Sequence, residues 1–425
     1  MRRVLTTALA ATVAVFAASA QAEETVIWWD FLGGGDGVRM KALLEQFNEA
    51  HEGEIEIQAT TLEWGIPYYT KVQTSAAVGE GPDMMTYHLS RFPLAVPTGV
   101  LREITLDELA SVGLEASDFN ASNFAAAQVD GKLYGVPFDV HAVVLYYNKD
   151  LLRQAGLLGD DGLPTGLDGV DNFNAALAKL EAETGVEYAL SIHSDEGSSL
   201  WRIFYSLFGQ EGGLVVDDGQ VLPGDNLDKA VAAASEMAKW VKEGWSPKLT
   251  AYPASIALFT SGEAAMHING VWEVPTMVDL AKNGELFDWG AIRLPVLYDQ
   301  PATWADSHAF AIPNNADKPV TPEKLDAVLK VIAWMNENSL FWATAGHIPA
   351  YVPVTDSDEY KTMQPNAVYS VLAETAVFDP RSEIAGVASP LFDAATNYLV
   401  PAVNDDMDPQ EAMELLRDEL QSMLE

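Results

Sequence analysis

From residue 25 onward, short runs of β-branched and aromatic residues alternate with stretches whose apolar residues recur every three or four positions, the pattern of an α/β protein. Thr25 to Phe31 predicts a buried opening strand. Beyond the glycine-rich turn at 33–37, Met40, Leu43, Leu44 and Phe47 fall at i, i+3, i+4 and i+7, which predicts a helix. Residues 54–58 alternate as a second strand should, giving a strand–helix–strand unit with a right-handed crossover. Residues 142–147 predict another strand, and two helical stripes follow: Phe173, Ala176, Leu177 and Leu180, then Leu227, Ala230, Val231 and Ala234, the second closed by Gly244. Thr321 and Pro322 read as an N-cap and first-turn proline, with Leu325, Val328, Leu329 and Ile332 as the core face. No internal repeat is evident. Proline and glycine interrupt the pattern at 135–139 and 293–301, the candidate domain boundaries.

Composition narrows the function. The 425 residues, 48% of them hydrophobic, make about two domains at ~150 residues each. With 24 Lys plus Arg against 62 Asp plus Glu, the formal charge of −38 repels phosphate backbones, and no basic patch offsets it, so nucleic acid is excluded as a partner. Met1-Arg2-Arg3, the apolar stretch 4–18 and Ala20-Gln21-Ala22 have the three parts of a signal peptide, with Glu23 as the expected mature start. As a membrane anchor that stretch is too short and too rich in Ala and Thr, and no later segment approaches the ~20 apolar residues of a span. The chain has no cysteine, hence no disulfide and no lipoprotein tether. A freely diffusing exported protein is expected, confined in a Gram-negative periplasm, and the acidic surface suits a salty habitat.

Several segments then stand at the spacing of a known family. They are the opening strand and its Gly-rich turn, Gly81-Pro82-Asp83, residues 131–137 (Gly-Lys-Leu-Tyr-Gly-Val-Pro) leading into 145–152, Gly262 to Met266 with Asn269-Gly270-Val271-Trp272, Leu294-Pro295, and Gly346-His347-Ile348-Pro349. In these the chain resembles the extracellular solute-binding proteins of ABC sugar importers related to maltose-binding protein. Many relatives carry a basic residue just after the last motif; Tyr351 follows here, so no ligand contact is carried onto it. The resemblance implies the two-lobe α/β periplasmic-binding-protein fold with a ligand cleft between lobes joined by hinge crossovers. The lobes are expected at 23–137 with 293–345, and at 138–292 with 346–425. It also implies a membrane permease as partner, a carbohydrate as ligand, no cofactor, and a monomer.

A sugar offers hydroxyls around an apolar face of C–H groups, so its site needs flat aromatic surfaces and a few fixed polar groups. Trp272 is the foremost candidate, because it follows Asn269 and Gly270 at the end of an apolar strand, where open α/β sheets place their ligands. Trp64, Trp304 and Trp201 are the further candidates; Trp28, Trp29, Trp240, Trp334 and Trp342 are expected in packing. The polar candidates are Asp306 and His308 beside Trp304, His88 and Arg91 after the strand at 84–87, and Asp139 at the crossing between lobes. Asp30 is a weaker candidate, and Asp36, between glycines, reads as turn chemistry.

Seven dispersed histidines show no His-x-x-x-His pair, and no metal site is expected from their spacing. Asp160-Asp161-Gly162 and Asp217-Asp218-Gly219 lack the remaining positions of a calcium loop. No P-loop or Gly-x-Ser-x-Gly occurs, so no catalytic residue is assigned. The expected function is capture of a neutral mono- or oligosaccharide by hinge closure and its delivery to the permease. A polyol, compatible-solute or glycerol-phosphate binder of the same class, and a secreted glycosidase with paired carboxylates, are the alternatives.

Overall fold

Val26 and Trp28, both fully buried, face the core from the opening strand Glu24–Asp30. The helix Gly34–Ala50 covers them with the predicted stripe of Met40, Leu43, Leu44 and Phe47, and the strand Ile55–Thr61 returns parallel to the first. In this computed structural model, which describes residues 23–425, that unit begins the first of two α/β lobes. The expected leader, residues 1–22, lies outside the described residues.

The first sheet has five strands in the order Ile55–Thr61, Glu24–Asp30, Met84–His88, His308–Ala311 and Val136–Pro137. The second is built on one long strand, Asp139–Asn148, all ten residues of which are buried. Ala264–Gly270 and Trp289–Arg293 run antiparallel along its far end, while Thr303–Asp306 and Ile348–Pro349 pair with its beginning. Val136–Pro137 closes the first sheet and Asp139 opens the second, so the chain crosses between lobes at Phe138. Helices pack on both sheets, and their boundaries follow ordinary capping. Thr321 accepts the Lys324 amide at the head of helix Pro322–Glu337, and helix Asn226–Lys242 ends two residues before Gly244, which takes a positive φ of 81°.

The return crossing differs from the expected one at 293. Trp289–Arg293 and Thr303–Asp306 both pair with the long strand of the second sheet, Asp306 opposite His141. The chain re-enters the first sheet only with His308, opposite His88, so Ser307 is the second crossing. Pro295 and Pro301 interrupt the strand ladder without moving the chain to another sheet.

Trp28, Trp240 and Trp342 are fully buried, as packing residues should be. Trp334 is half-buried and stands edge-on to Phe47 at 5.3 Å. One glycine is demanded by its surroundings. Gly346 has φ of 88°, and a Cβ there would stand 2.2 Å from the Val271 carbonyl oxygen and 2.7 Å from Val274 Cβ. It sets the loop that delivers His347. Gly346→Ala is therefore expected to lower stability by ~2–4 kcal/mol, from left-handed backbone strain plus overpacking, read as a fall in the urea unfolding midpoint.

Candidate functional site

The strand ends and loops of both sheets enclose a cavity of about 570 Å³. The first lobe contributes Phe31 to Asp36, Thr61 to Trp64, and His88; the second contributes His141, His193, Glu196, Ser198, Ser199, Arg202, Tyr252, Trp272 and Glu273; His308 and His347 close the floor. Side chains reach it because strands end there: His88 ends Met84–His88, His308 begins His308–Ala311, and their Cα positions are partners across the ladder.

Its aromatic surfaces come from both sides. Trp64, 41% exposed, follows the strand Ile55–Thr61. Trp272 sits in the turn after Ala264–Gly270, and its indole N–H donates to the Tyr252 hydroxyl at 2.9 Å. The Tyr252 hydroxyl in turn donates to Glu273 Oε1 at 2.5 Å. A Cβ at position 270 would lie 2.1 Å from the Trp272 ring, so only glycine lets the indole rest against the backbone. Phe31 stacks on the His88 ring at 4.6 Å and 8°.

Arg202, from helix Gly197–Gln210, is held among indoles, with its guanidinium carbon 5.0 Å from the Trp272 ring, 4.8 Å from Trp304 and 5.7 Å from Trp64. Among the described residues its guanidinium makes no hydrogen bond or ion pair, and burial lowers its pKa from the usual value. Arg202 thus brings to the cavity wall a guanidinium with cation–π support and no protein acceptor, its Nε–H buried.

The floor is a cluster of imidazoles around one carboxylate. Asp139 Oδ2 accepts from the Trp342 indole at 2.8 Å, lies 2.8 Å from His308 Nδ1 and 3.1 Å from His347 Nδ1, while Oδ1 accepts the His308 amide at 2.9 Å and lies 3.1 Å from His141 Nδ1. Burial alone would raise the Asp139 pKa, but His308 and His347 outweigh it and hold the carboxylate well below its usual range. Burial likewise would lower His347, yet Asp36, 2.9 Å from its Nε2, and Asp139 push it up to about 10. His141 falls to about 3, first through burial and then through the charge of His308. His347 thus carries the proton and His141 stays neutral at ordinary pH.

Of the binding candidates, Trp64, His88, Trp272 and His308 lie on the cavity wall. Asn269 and Gly270 line a small recess of about 10 Å³ beneath Trp272, and Asp139 lies one layer below the wall. Four candidates are placed elsewhere. Arg91 is spent on the Val387 and Ala388 carbonyls at 2.6 and 2.7 Å and on the Tyr69 ring. Trp201 and Trp304 are fully buried and both donate to Asp379 Oδ1, at 2.9 and 3.0 Å. Asp306 is buried against Ser90, whose amide and hydroxyl it accepts, and burial raises its pKa to about 7. Asp36 goes the other way: the expected turn residue lines the cavity and meets His347. His141, His193, Tyr252, Glu273 and His347 were not singled out as binding candidates from the sequence, and Arg202 came up there only as one of three cations, with Arg91 and Arg381, that a phosphate-bearing ligand would need. His347 alone carried a signal, inside Gly346-His-Ile-Pro349, a motif read there only for the fold.

Comparison with known proteins shows the family and the fold. The family of bacterial extracellular solute-binding proteins matches residues 42–364. A galactooligosaccharide-binding protein of Bacillus subtilis is 27% identical over 296 residues, covering 66% of this chain and 61% of its own length. A maltooligosaccharide ABC transporter solute-binding lipoprotein of Streptococcus pneumoniae is 24% identical over 384 residues, or 88% of this chain and 84% of its own. Among solved structures, the GacH receptor of Streptomyces glaucescens superposes with a TM-score of 0.79 at 19% identity, covering 95% of this chain and 99% of that one. Maltose-bound MalE3 of T. maritima gives 0.78 at 21% identity, with 95% and 100% covered. At such identities the structural likeness speaks for the two-lobe fold.

The Asp379 carboxyl beneath the cavity gives a pH-dependent test. Burial raises its pKa to about 6, against the lowering pull of the Trp201 and Trp304 indoles and the Arg202 charge. A raised carboxyl pKa means the folded protein holds the proton more tightly than the unfolded chain. The stabilisation is complete below the unfolded value of 3.8 and is lost as pH rises through about 6. Relative to wild type, Asp379→Asn should gain ~2–3 kcal/mol between pH 4 and pH 7, at 1.36 kcal/mol per unit, measured by urea unfolding at each pH. A difference that stays constant with pH would contradict the assignment.

Proposed function

From the premise that the chain belongs to the bacterial extracellular solute-binding proteins, we propose that it is the periplasmic binding component of an ABC importer, capturing a neutral mono- or oligosaccharide between its lobes. The observation that carries this reading is the cavity walled by Trp64 from one lobe and Trp272 from the other, with hydroxyl-binding groups between them. Two indoles present the flat surfaces that sugar C–H faces stack on. Arg202, His193, Glu196 and Glu273 supply donors and acceptors for hydroxyls. The oligosaccharides named for the Bacillus and Streptococcus relatives favour a ligand of more than one ring.

The lobes are read as 23–137 with 307–345, and the remainder, hinged at Phe138 and Ser307. Contacts from both lobes exist together only in the closed form, so ligand shifts the population toward it, and the permease recognises that form. Arg39 on the helix Gly34–Ala50 makes a bidentate pair with Asp279 on Val274–Lys282, at 2.8 and 3.0 Å, linking helices assigned to the two lobes. This pair is read as a latch of the closed form. Export by cleavage after Ala22, without a lipid anchor and as a monomer, completes the proposal.

A thermal-shift screen over sugars, polyols and compatible solutes tests the ligand class, since a ligand at ~100 times its dissociation constant stabilises the folded state by ~2.7 kcal/mol. Response to polyols alone would overturn the sugar assignment. Incubation with oligosaccharides should release no new reducing ends. With the sugar identified, Trp64→Ala and Trp272→Ala should each weaken binding about thirtyfold, from ~2 kcal/mol per stacked anchor at ~1.4 kcal/mol per decade. Trp64→Ala should leave the ligand-free thermal midpoint nearly unchanged. Arg39→Ala, removing a partly exposed pair worth ~0.5–1 kcal/mol, should raise the dissociation constant about two- to fivefold at low salt and less at high salt, by calorimetry.

A further inference from the structure

We infer that Asp139, His141, His308 and His347 form a binding site for a transition-metal dication of the zinc class at the crossing between the lobes. One donor atom from each lies within 4.8 Å of all the others, and all four residues are buried. The arrangement is convergent. Asp139 and His141 share one face of the strand Asp139–Asn148, two residues apart. His308 arrives on the return strand and His347 on the loop behind Gly346.

Three imidazoles and one carboxylate form the nitrogen-rich donor set that suits Zn, Ni or Cu, whereas Ca and Mg require oxygen ligands. Metal–ligand bonds of ~2.0–2.1 Å in a tetrahedron put donor atoms ~3.3 Å apart. Here Asp139 Oδ2 lies 2.8 Å from His308 Nδ1 and 3.1 Å from His347 Nδ1, while His141 Nδ1 lies 3.1 Å from Oδ1, so rotation of the Asp139 carboxylate or the His141 ring would complete the tetrahedron. The second layer is also present. His347 turns its other nitrogen to Asp36 Oδ2 at 2.9 Å, the carboxylate–histidine pairing that orients metal-bound imidazoles, and Trp342 fixes Asp139.

Two further observations point to an ion. The fully buried Nδ1 of His347, though 3.1 Å from Asp139 Oδ2, makes no hydrogen bond. Asp36 and Asp139 are two buried carboxylates whose ion-pair partners among the described residues are imidazoles only. A dication bound at Nδ1 of His347 would displace the proton from that nitrogen to solvent and place its own charge beside Asp139, leaving Nε2–H to Asp36. His141, His308 and His347 lie on the cavity wall, so the cavity is its path of entry. An ion held there ties both crossing strands and the Gly346 loop together and stiffens the hinge.

The test uses mature protein stripped with EDTA, titrated with ZnCl2 by calorimetry and with CoCl2 by visible absorption, neither of which depends on a sugar. One saturable zinc per chain is expected, with cobalt d–d absorption. His141→Gln and His347→Gln should each weaken zinc at least tenfold and abolish the cobalt bands. Asp36→Asn, which reaches the metal only through His347, should cost about tenfold and serves if a ligand variant fails to fold. No saturable binding by wild type would overturn the inference. So would binding that the variants retain at full strength, the mark of adventitious ions on an acidic surface.

Discussion

A carboxylate buried where the chain passes from one sheet to the other organises this molecule. Asp139 is fully buried, and leaving such a group unpaired would cost several kcal/mol. Its donors come from His308, 169 residues on, and Trp342, 203 residues on. These contacts need both crossings and the helix Ser339–Ala343, which carries Trp342, in place. The charge therefore makes the junction cooperative: the same atoms that satisfy Asp139 bring His141, His308 and His347 to the floor of the cavity.

A second layer of the same kind supports the opposite wall. Trp201 and Trp304 aim both indole N–H groups at Asp379, and Trp304 then presents its face to Arg202, which is sandwiched toward Trp272. Aromatic residues thus divide into those that touch the cavity and those that hold a cation against it. A stacked guanidinium loses little freedom when it meets a ligand, because its geometry is already set.

Charge is distributed against the average. The chain is strongly acidic, yet five of its seven histidines and Arg202 line the cavity, opposite Asp36, Glu63, Glu196 and Glu273. Overall charge governs solubility and long-range steering, whereas the cavity mixes donors and acceptors at short range, as a polyhydroxylated ligand requires.

The α/β class, the opening strand–helix–strand unit and the capped helix at Thr321 were legible in the sequence, and Trp64 and Trp272, read there as binding candidates, line the cavity. Periodicity and capping act between residues a few positions apart, so a one-dimensional reading captures them. Trp201, Trp304, Arg91 and Asp306 had the composition of a binding site but not its exposure, since a side chain's neighbours across a sheet or helix interface leave no mark on its own segment. The histidine cluster is the sharpest case. His88, His141, His308 and His347 show no ligand spacing along the chain, and strand register alone sets His88 opposite His308 and Asp306 opposite His141. Contacts so distant in sequence depend on which strands pair and in what register, and that is decided only when both sheets bury their faces together.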